Sequence, residues 1–477
     1  MDGSSFKFID LFAGIGGFHH ALESLGGECV MACEMDEECR QVYRAAFPSL
    51  PEKQFPANIR SITQDDNGQP KTTKQIKKLV PDHDVLCAGF PCQPFSKSGA
   101  QEGIRDQTRG TLFVDIMEIV RAKRPKYLIL ENVRNLAGPR HRDTWRTIID
   151  SIREEGYRVA DEPVVLSPHL IPPELGGAPQ VRDRVFILCE YLGPKSTPSD
   201  RLSKPLLHRD QFKGVWDPDD WRIADFLIAD SEIPNIADYR VSQKEETWLK
   251  AWDWFVQKCP TDTLPGFPIW SDHFFETPTI PKDTPEWKEN FLRKNSQFYN
   301  EHKSFIDEWK LKTWGRKKER TEDFPFSRQL FEWQARKAHP AKNGRTIKDL
   351  VIQMRPSGIR VKPATYLPAL VAISQTSIVG PKVHPEVKKY RKLTPAEAAK
   401  LQGIPSSCFE KAGCTDRAAY KQLGNAVNVG VIKLVAVALI FGLNHGSERK
   451  NFKGMPLFEQ KPQDNILTQK ISSKSAD

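Results

Sequence analysis

The chain lacks a disulfide framework. Its nine cysteines are odd in number and contain no CxxC pair. Cys29, Cys33 and Cys39 stand close together, but no histidine lies at zinc-site spacing from them, so no metal centre is expected. These absences argue against a stapled secreted domain and point to reduced thiols in a cytosolic or nucleoplasmic protein. Long hydrophobic runs are missing as well. A bilayer-spanning helix needs roughly 20 apolar residues; the longest run, Val429 to Leu443, is shorter and carries Lys433, so it reads as a buried helix and no membrane is expected. The polar N-terminus passes directly into a predicted strand, and no secretory leader is read there. No internal repeat is visible.

What is present is ordinary in bulk and uneven in distribution. Of 477 residues, 39% are hydrophobic and 27% charged, as in a soluble globular protein. The net charge is +9, yet residues 301–400 hold 22 Lys and Arg against 10 Asp and Glu. That block alone exceeds the charge of the whole chain, so it is a candidate phosphate-binding surface. A solvated basic face would look the same from charge alone. Ten of the 11 tryptophans fall between Trp216 and Trp333, a stretch read as the core of a separate module and not as a base-stacking surface.

Residues 6–190 alternate short apolar runs with amphipathic segments. Phe6 to Leu11, Cys29 to Cys33, Val85 to Ala88, Tyr127 to Leu130 and Val185 to Cys189 are predicted strands, with helices such as Leu112 to Lys123 and Thr144 to Glu155 between them. This predicts an α/β fold, a doubly wound, mostly parallel sheet with helices on both faces, joined to a second, irregular domain. The expected division is a catalytic and cofactor-binding domain over 1–194, the second domain over 195–390, a helical segment over 391–445 that completes the first, and a polar tail over 446–477.

Two motifs carry chemistry. Phe90-Pro91-Cys92-Gln93 follows a predicted buried strand, and a cysteine at a strand's carboxyl end is well placed to act as a nucleophile. A lone cysteine is more often an inert core residue, and Cys87 is read that way. The segment from Asp10 to Phe18 is a strand, a glycine turn and a helix, with Gly14, Gly16 and Gly17 letting backbone approach a ligand. The next strand ends in Cys33-Glu34-Met35-Asp36, which sets a carboxylate where ribose hydroxyls bind in such folds. No Walker lysine follows the glycines, which argues against ATP.

Taken together the motifs resemble one family. Asp10-Leu11-Phe12-Ala13-Gly14-Ile15-Gly16-Gly17-Phe18, Gly89-Phe90-Pro91-Cys92-Gln93, Arg109-Gly110-Thr111-Leu112-Phe113, Glu131-Asn132-Val133, Gln180-Val181-Arg182-Asp183-Arg184, Arg391 to Pro395 with Gln402-Gly403, and Gly424-Asn425-Ala426-Val427 occur in the order found in the DNA (cytosine-5) methyltransferases. Two positions depart from that pattern. Asn58 stands where the family often has an aspartate, and Ala426 where it commonly has a serine. Between about Leu192 and Leu350 nothing is recognised, which fits the family's variable target-recognition region.

The resemblance implies S-adenosylmethionine as cofactor and duplex DNA as partner. It implies Cys92 as nucleophile, Glu131 as the group at cytosine N3 and N4, Arg184 at O2, and Arg182 at a flanking phosphate or the catalytic loop. It places the cofactor against Asp10, Phe12, Gly14, Ile15, Gly17, Glu34, Met35, Asn58, Ile59, Pro91, Leu112, Asn425 and Ala426. Gln93, Ser96 and Ser98 are DNA-contact candidates in the loop after the cysteine; Arg355, Arg360 and Lys362 are candidates in the second domain, where arginines reach guanine edges and lysines hold phosphates. A prokaryotic, monomeric enzyme working beside a restriction endonuclease is expected. The tRNA-directed cytosine-5 enzymes share the catalytic set, and an inactive DNA-binding relative is a further alternative. The target sequence is not legible.

Overall fold

The computed structural model describes residues 5–91, 112–194, 205–314, 324–370 and 377–442. Seven strands form the first sheet: β1 (Phe6–Leu11), β2 (Gly27–Cys33), β3 (Val85–Gly89), β4 (Tyr127–Val133), β5 (Tyr157–Val159), β6 (Val164–Leu166) and β7 (Arg184–Tyr191). Their order is β2-β1-β3-β4-β7-β5, with β6 also paired to β7. β2, β1, β3 and β4 are parallel; β7 runs antiparallel to β4, and β5 and β6 antiparallel to β7.

The apolar runs are continuous because both faces of this sheet are covered. Phe8, Val85, Cys87, Ile129 and Leu188 pack on one side with the helices Gly17–Glu23 and Val429–Ala436. Ile9, Leu86, Ala88, Leu128 and Ile187 pack on the other with Leu112–Lys123 and Arg142–Glu154. The chain turns one way from β1 to β2 and the other way to β3. Such a reversal opens a crevice outside the carboxyl ends of the strands. The antiparallel direction of β7 brings its first residue, Arg184, to that same edge, where it pairs with Val133.

The second domain is more regular than its sequence texture suggests. β8 (Ile269–Trp270), β9 (Leu330–Trp333), β10 (Leu350–Arg355), β11 (Gly358–Pro363), β12 (Ile378–Val379) and β13 (Arg391–Lys392) form a sheet ordered β13-β12-β10-β11-β9-β8. Three of these strands are two residues long, too short to leave a periodic signal. The aromatic block is core, as its composition suggested. Trp252 stacks on Phe331 with ring centres 4.5 Å apart and packs against Trp309 at 4.8 Å. Both indole N–H groups donate to backbone carbonyls, of Arg328 and Ala251, so burial leaves neither donor unsatisfied.

The two sheets are tied by a buried ion network. Arg391, fully enclosed in β13, donates to both carboxylate oxygens of Glu397 at 2.8 and 2.9 Å and to Asp230 at 2.9 Å. Glu397 also closes the capping box of the helix Pro395–Gln402 with Thr394. The second sheet therefore extends to Lys392, and the helical return to the first sheet begins at Pro395. The stretch Asp416–Gly442 is apolar and long enough to cross a bilayer by composition, but most of it is buried inside the protein, as the Lys433-containing run suggested.

Candidate active site

The crevice at the carboxyl ends of β1 to β4 is a cavity of about 530 Å³, within the range of small-molecule sites. The glycine turn forms one wall. Phe12 adopts φ +59°, a left-handed conformation that side chains rarely hold, and Gly14 and Gly16 follow at +55° and +86°. The strained turn puts the Phe12 ring, Gly14, Ile15 and Gly17 on the cavity. Gly17 is needed for packing: a Cβ there would lie 2.6 Å from Val427 Cγ2. That contact seals the turn against Asn425 and Ala426, which line the opposite rim.

Glu34 and Met35, at the end of β2, line the next wall. The Glu34 carboxylate accepts the Gly14 amide through Oε2 and the Asp36 amide through Oε1, both at 2.8 Å. It thus clamps the glycine turn to the β2 end and fixes a negative charge beside the cavity. Asn58, Ile59, Pro91 and Leu112 also line the cavity. Asn58 Oδ1 caps the following turn by accepting the Arg60 amide at 3.0 Å, so the residue standing at the usual aspartate position is spatially in place while its oxygen is already engaged once.

Asp10 departs from the expectation. It is fully buried in β1 and does not line the cavity. Neither carboxylate oxygen has a well-formed hydrogen bond among the described residues. Burial first, and then the charge of Glu34, hold its pKa well above the ordinary carboxylate range. A carboxyl with a raised folded pKa binds its proton more tightly when folded. Its stabilising effect is complete at pH below the ordinary carboxylate range and is lost as pH rises through the folded pKa. Asp10→Asn is therefore expected to raise the melting temperature at pH 8 relative to wild type, with a smaller gain or none at pH 5; thermal melts at the two values check this.

The same cavity holds the expected acid group, Glu131. Strand alternation places Tyr127, Ile129 and Glu131 on one face of β4 and Arg184 with Phe186 on the same face of β7. Arg184 Nε lies 3.0 Å from Glu131 Oε1, and both residues line the cavity. Glu131 Oε2 lies next to Gly89, 3.4 Å from where a Cβ would stand. Burial pushes the Glu131 carboxyl above the usual carboxylate range, against the pull of Arg184 and then Arg182. Asn132, on the other face, was given no role in the sequence reading. Its side chain donates to the Phe90 carbonyl at 2.8 Å, fixing the turn that carries Pro91 to the cavity. Nothing in the residue pattern signals this, since the partner is a backbone atom 42 positions away. Cys92 follows Pro91 directly; it lies outside the described residues, as do Gln93, Ser96 and Ser98.

Arg182 requires a correction. It lies before β7, which begins at Arg184, so strand alternation does not reach it; it is 2% exposed and does not line the cavity. Its guanidinium donates to the carbonyls of Gly424 at 3.0 Å and Leu370 at 3.5 Å. Burial, then Arg184, lowers its pKa to about 9, so it stays charged at neutral pH. In this structure it is a strut holding the Asn425 rim to β7, and not a phosphate contact. Arg355, Arg360 and Lys362 lie together on one face of the β10–β11 hairpin. Among the described residues no cluster of three or more metal-ligating side chains occurs.

A profile for the C-5 cytosine-specific DNA methylases matches residues 6–440. The chain belongs to the C-5 cytosine-specific DNA methylase family. Type II methyltransferase M.AluI of Cellulosimicrobium cellulans is 37% identical over 506 aligned positions, covering 90% of this chain and 91% of the relative. Type II methyltransferase M.HhaI of Haemophilus parahaemolyticus is 40% identical over 183 positions, which cover 38% of this chain and 48% of that protein. Among solved structures, the Dnmt2 methyltransferase of S. pombe superposes with a TM-score of 0.48 and 16% identity, covering 92% of this chain and all of the other.

Proposed function

We propose that the chain transfers a methyl group from S-adenosylmethionine to C5 of a cytosine rotated out of duplex DNA. The observation that supports this is that the Glu131–Arg184 pair, the Phe12–Glu34 cradle and Pro91 line one cavity. The residues present fit the cofactor. Phe12 offers a ring face for adenine, Glu34 an anion for ribose hydroxyls, and the cavity is of suitable size. When bound, S-adenosylmethionine supplies the electrophilic methyl group that C5 accepts.

The chain's own residues make C5 receptive. The Cys92 thiolate adds to C6, forming a C–S bond and moving electron density toward C5 and N3. Glu131, its carboxyl pKa raised by burial, donates at N3 and accepts from the N4 amino group. Arg184 keeps Glu131 oriented and offers its fork to O2. After C5 has gained its methyl group it loses its proton to a water molecule, the C–S bond breaks to expel the Cys92 thiolate, and N3 returns its proton to Glu131, which restores the ring. Rotating the base out of the stack costs a few kcal/mol, which contacts made by the second domain and the loop after Cys92 would offset. We assign residues 195–390 to target recognition and 391–445 to completing the catalytic domain. The type II names of its relatives support a role beside a restriction endonuclease.

Incubation of the purified protein with labelled S-adenosylmethionine and either duplex DNA or tRNA tests the reading. Label is expected in the duplex, at cytosines that resist bisulfite conversion. Label in tRNA alone would transfer the proposal to the tRNA-directed relatives.

A further inference from the structure

The β10–β11 hairpin has two unlike faces. Ile352, Met354, Ile359 and Val361 point into the aromatic core. The other face carries Gln353, Arg355, Arg360 and Lys362. The turn between the strands is two residues long, and Gly358 adopts φ +120° against Leu330, where a Cβ would meet backbone at 2.8 Å. The hairpin is therefore held rigidly on β9.

Glu332 of β9 sits beside this charged face. Its Oε2 accepts from Arg360 Nε at 2.7 Å, and it stands 3.9 Å from Arg355. Its Oε1 accepts from the side chain of Gln334. The carboxylate is braced on both sides, and it fixes the plane of the Arg360 guanidinium. The two terminal nitrogens of Arg360 have no hydrogen-bond partner among the described residues. A carboxylate beside an arginine weakens its attraction for phosphate and repels the phosphate itself. The same carboxylate suits a group that must present two parallel donors in a set direction, as a guanine edge requires.

The strand that carries Arg360 leads straight to the first domain. Beyond β11, Leu367 exchanges backbone hydrogen bonds with Pro179 and Val181, in the segment that leads into Arg184. Tyr366 packs on His169 with ring centres 4.9 Å apart, and the charge of Lys362 is felt at His169.

We propose that Arg360 is a specificity-determining residue that reads a guanine in the major groove beside the target cytosine, and that Glu332 is its positioning residue. This rests on the methyltransferase reading above. Lys362 on the same face, with no fixed fork, holds phosphate.

The test uses the full-length protein and a pool of duplexes with randomised bases around a cytosine, read by bisulfite sequencing. Wild type is expected to methylate a restricted set of sequences containing a particular guanine. Arg360→Lys keeps the charge and loses the fork. It is expected to lower methylation of the preferred set by roughly 10- to 100-fold relative to sequences with another base at that guanine. Glu332→Gln is expected to shift the same position in the same direction by less. Affinity for S-adenosylmethionine and the melting temperature serve as controls, and Glu332→Gln reports independently should the lysine variant fail to fold. Retention of the wild-type sequence preference by a folded variant at Arg360, with only a shallower salt dependence of binding, would make it a phosphate contact and overturn the inference. A wild-type protein that methylates tRNA or nothing would instead sink the underlying reading, and the inference with it.

Discussion

Cys92→Ser is expected to lower methyl transfer to duplex DNA by at least about 10⁴-fold while leaving the affinity for S-adenosylmethionine unchanged. Cytosine C5 is a weak nucleophile until a strong one adds at C6. A serine hydroxyl keeps the size of the thiol but is not ionised near neutral pH, so the addition step is lost. The chemistry of the other thiols explains why the assignment falls on Cys92. Cys33 and Cys39 line the same cavity, but burial and the neighbouring carboxylates Glu34 and Asp36 push their pKa values up, that of Cys33 to about 12. Cys87 is enclosed in the core and its thiol is held protonated by burial. None of these offers a thiolate. Cys92 is placed by covalent connection immediately after Pro91, and Pro91 lines the cavity that also contains Glu131. Cys87→Ser serves as the control, and single-turnover rates for the two variants should separate clearly.

Glu131→Gln is expected to lower the rate of methyl transfer by roughly 10²- to 10⁴-fold, with a smaller effect on cofactor binding. The amide has nearly the same shape, so packing beside Gly89 survives, but it cannot deliver a proton to N3. Burial raises the Glu131 pKa while Arg184, 3.0 Å away, works against that rise. The result is a carboxyl that retains its proton to higher pH than an exposed glutamate. Since the protonated form is the donor, wild-type activity should decline as pH rises through this elevated pKa. The glutamine variant should lack that alkaline limb. A pH–rate profile of single-turnover methylation checks both the size and the shape; a variant with wild-type rate and an unchanged limb would remove Glu131 from the chemistry.

Much of the catalytic sheet was legible because its physics is local. Runs such as Tyr127-Leu128-Ile129-Leu130 are apolar at every position, and only a strand covered on both faces tolerates that pattern. The glycine turn and Glu34 were legible for a similar reason, since the turn and the carboxylate both end strands that the pattern locates. What escaped notice depends on distant partners. Arg182 stands before the strand that begins at Arg184, so alternation does not govern it, and its guanidinium donates to a carbonyl of Gly424, 242 positions away. Asp10 belongs to a motif that resembles cofactor-binding loops, yet strand alternation turns its side chain toward the helix Gly17–Glu23 and away from the cavity. In the second domain, the alternation of Ile359-Arg360-Val361-Lys362 carried a strand signal that the density of charge obscured. The two-residue strands β8, β12 and β13 hold their places through pairing alone and leave no trace in the pattern.

The central claim is a transient bond between one sulfur and a pyrimidine carbon, and trapping measures it directly. A duplex with 5-fluorocytosine at the target position blocks release, because fluorine replaces the proton that must leave C5. With S-adenosylmethionine present, the wild-type protein is predicted to form a denaturation-resistant adduct of one protein per duplex, mapped by mass spectrometry to the peptide containing Cys92 and absent from Cys92→Ser. Full methylation of ordinary duplex DNA without any such adduct, or an adduct that persists in the serine variant, would contradict the account.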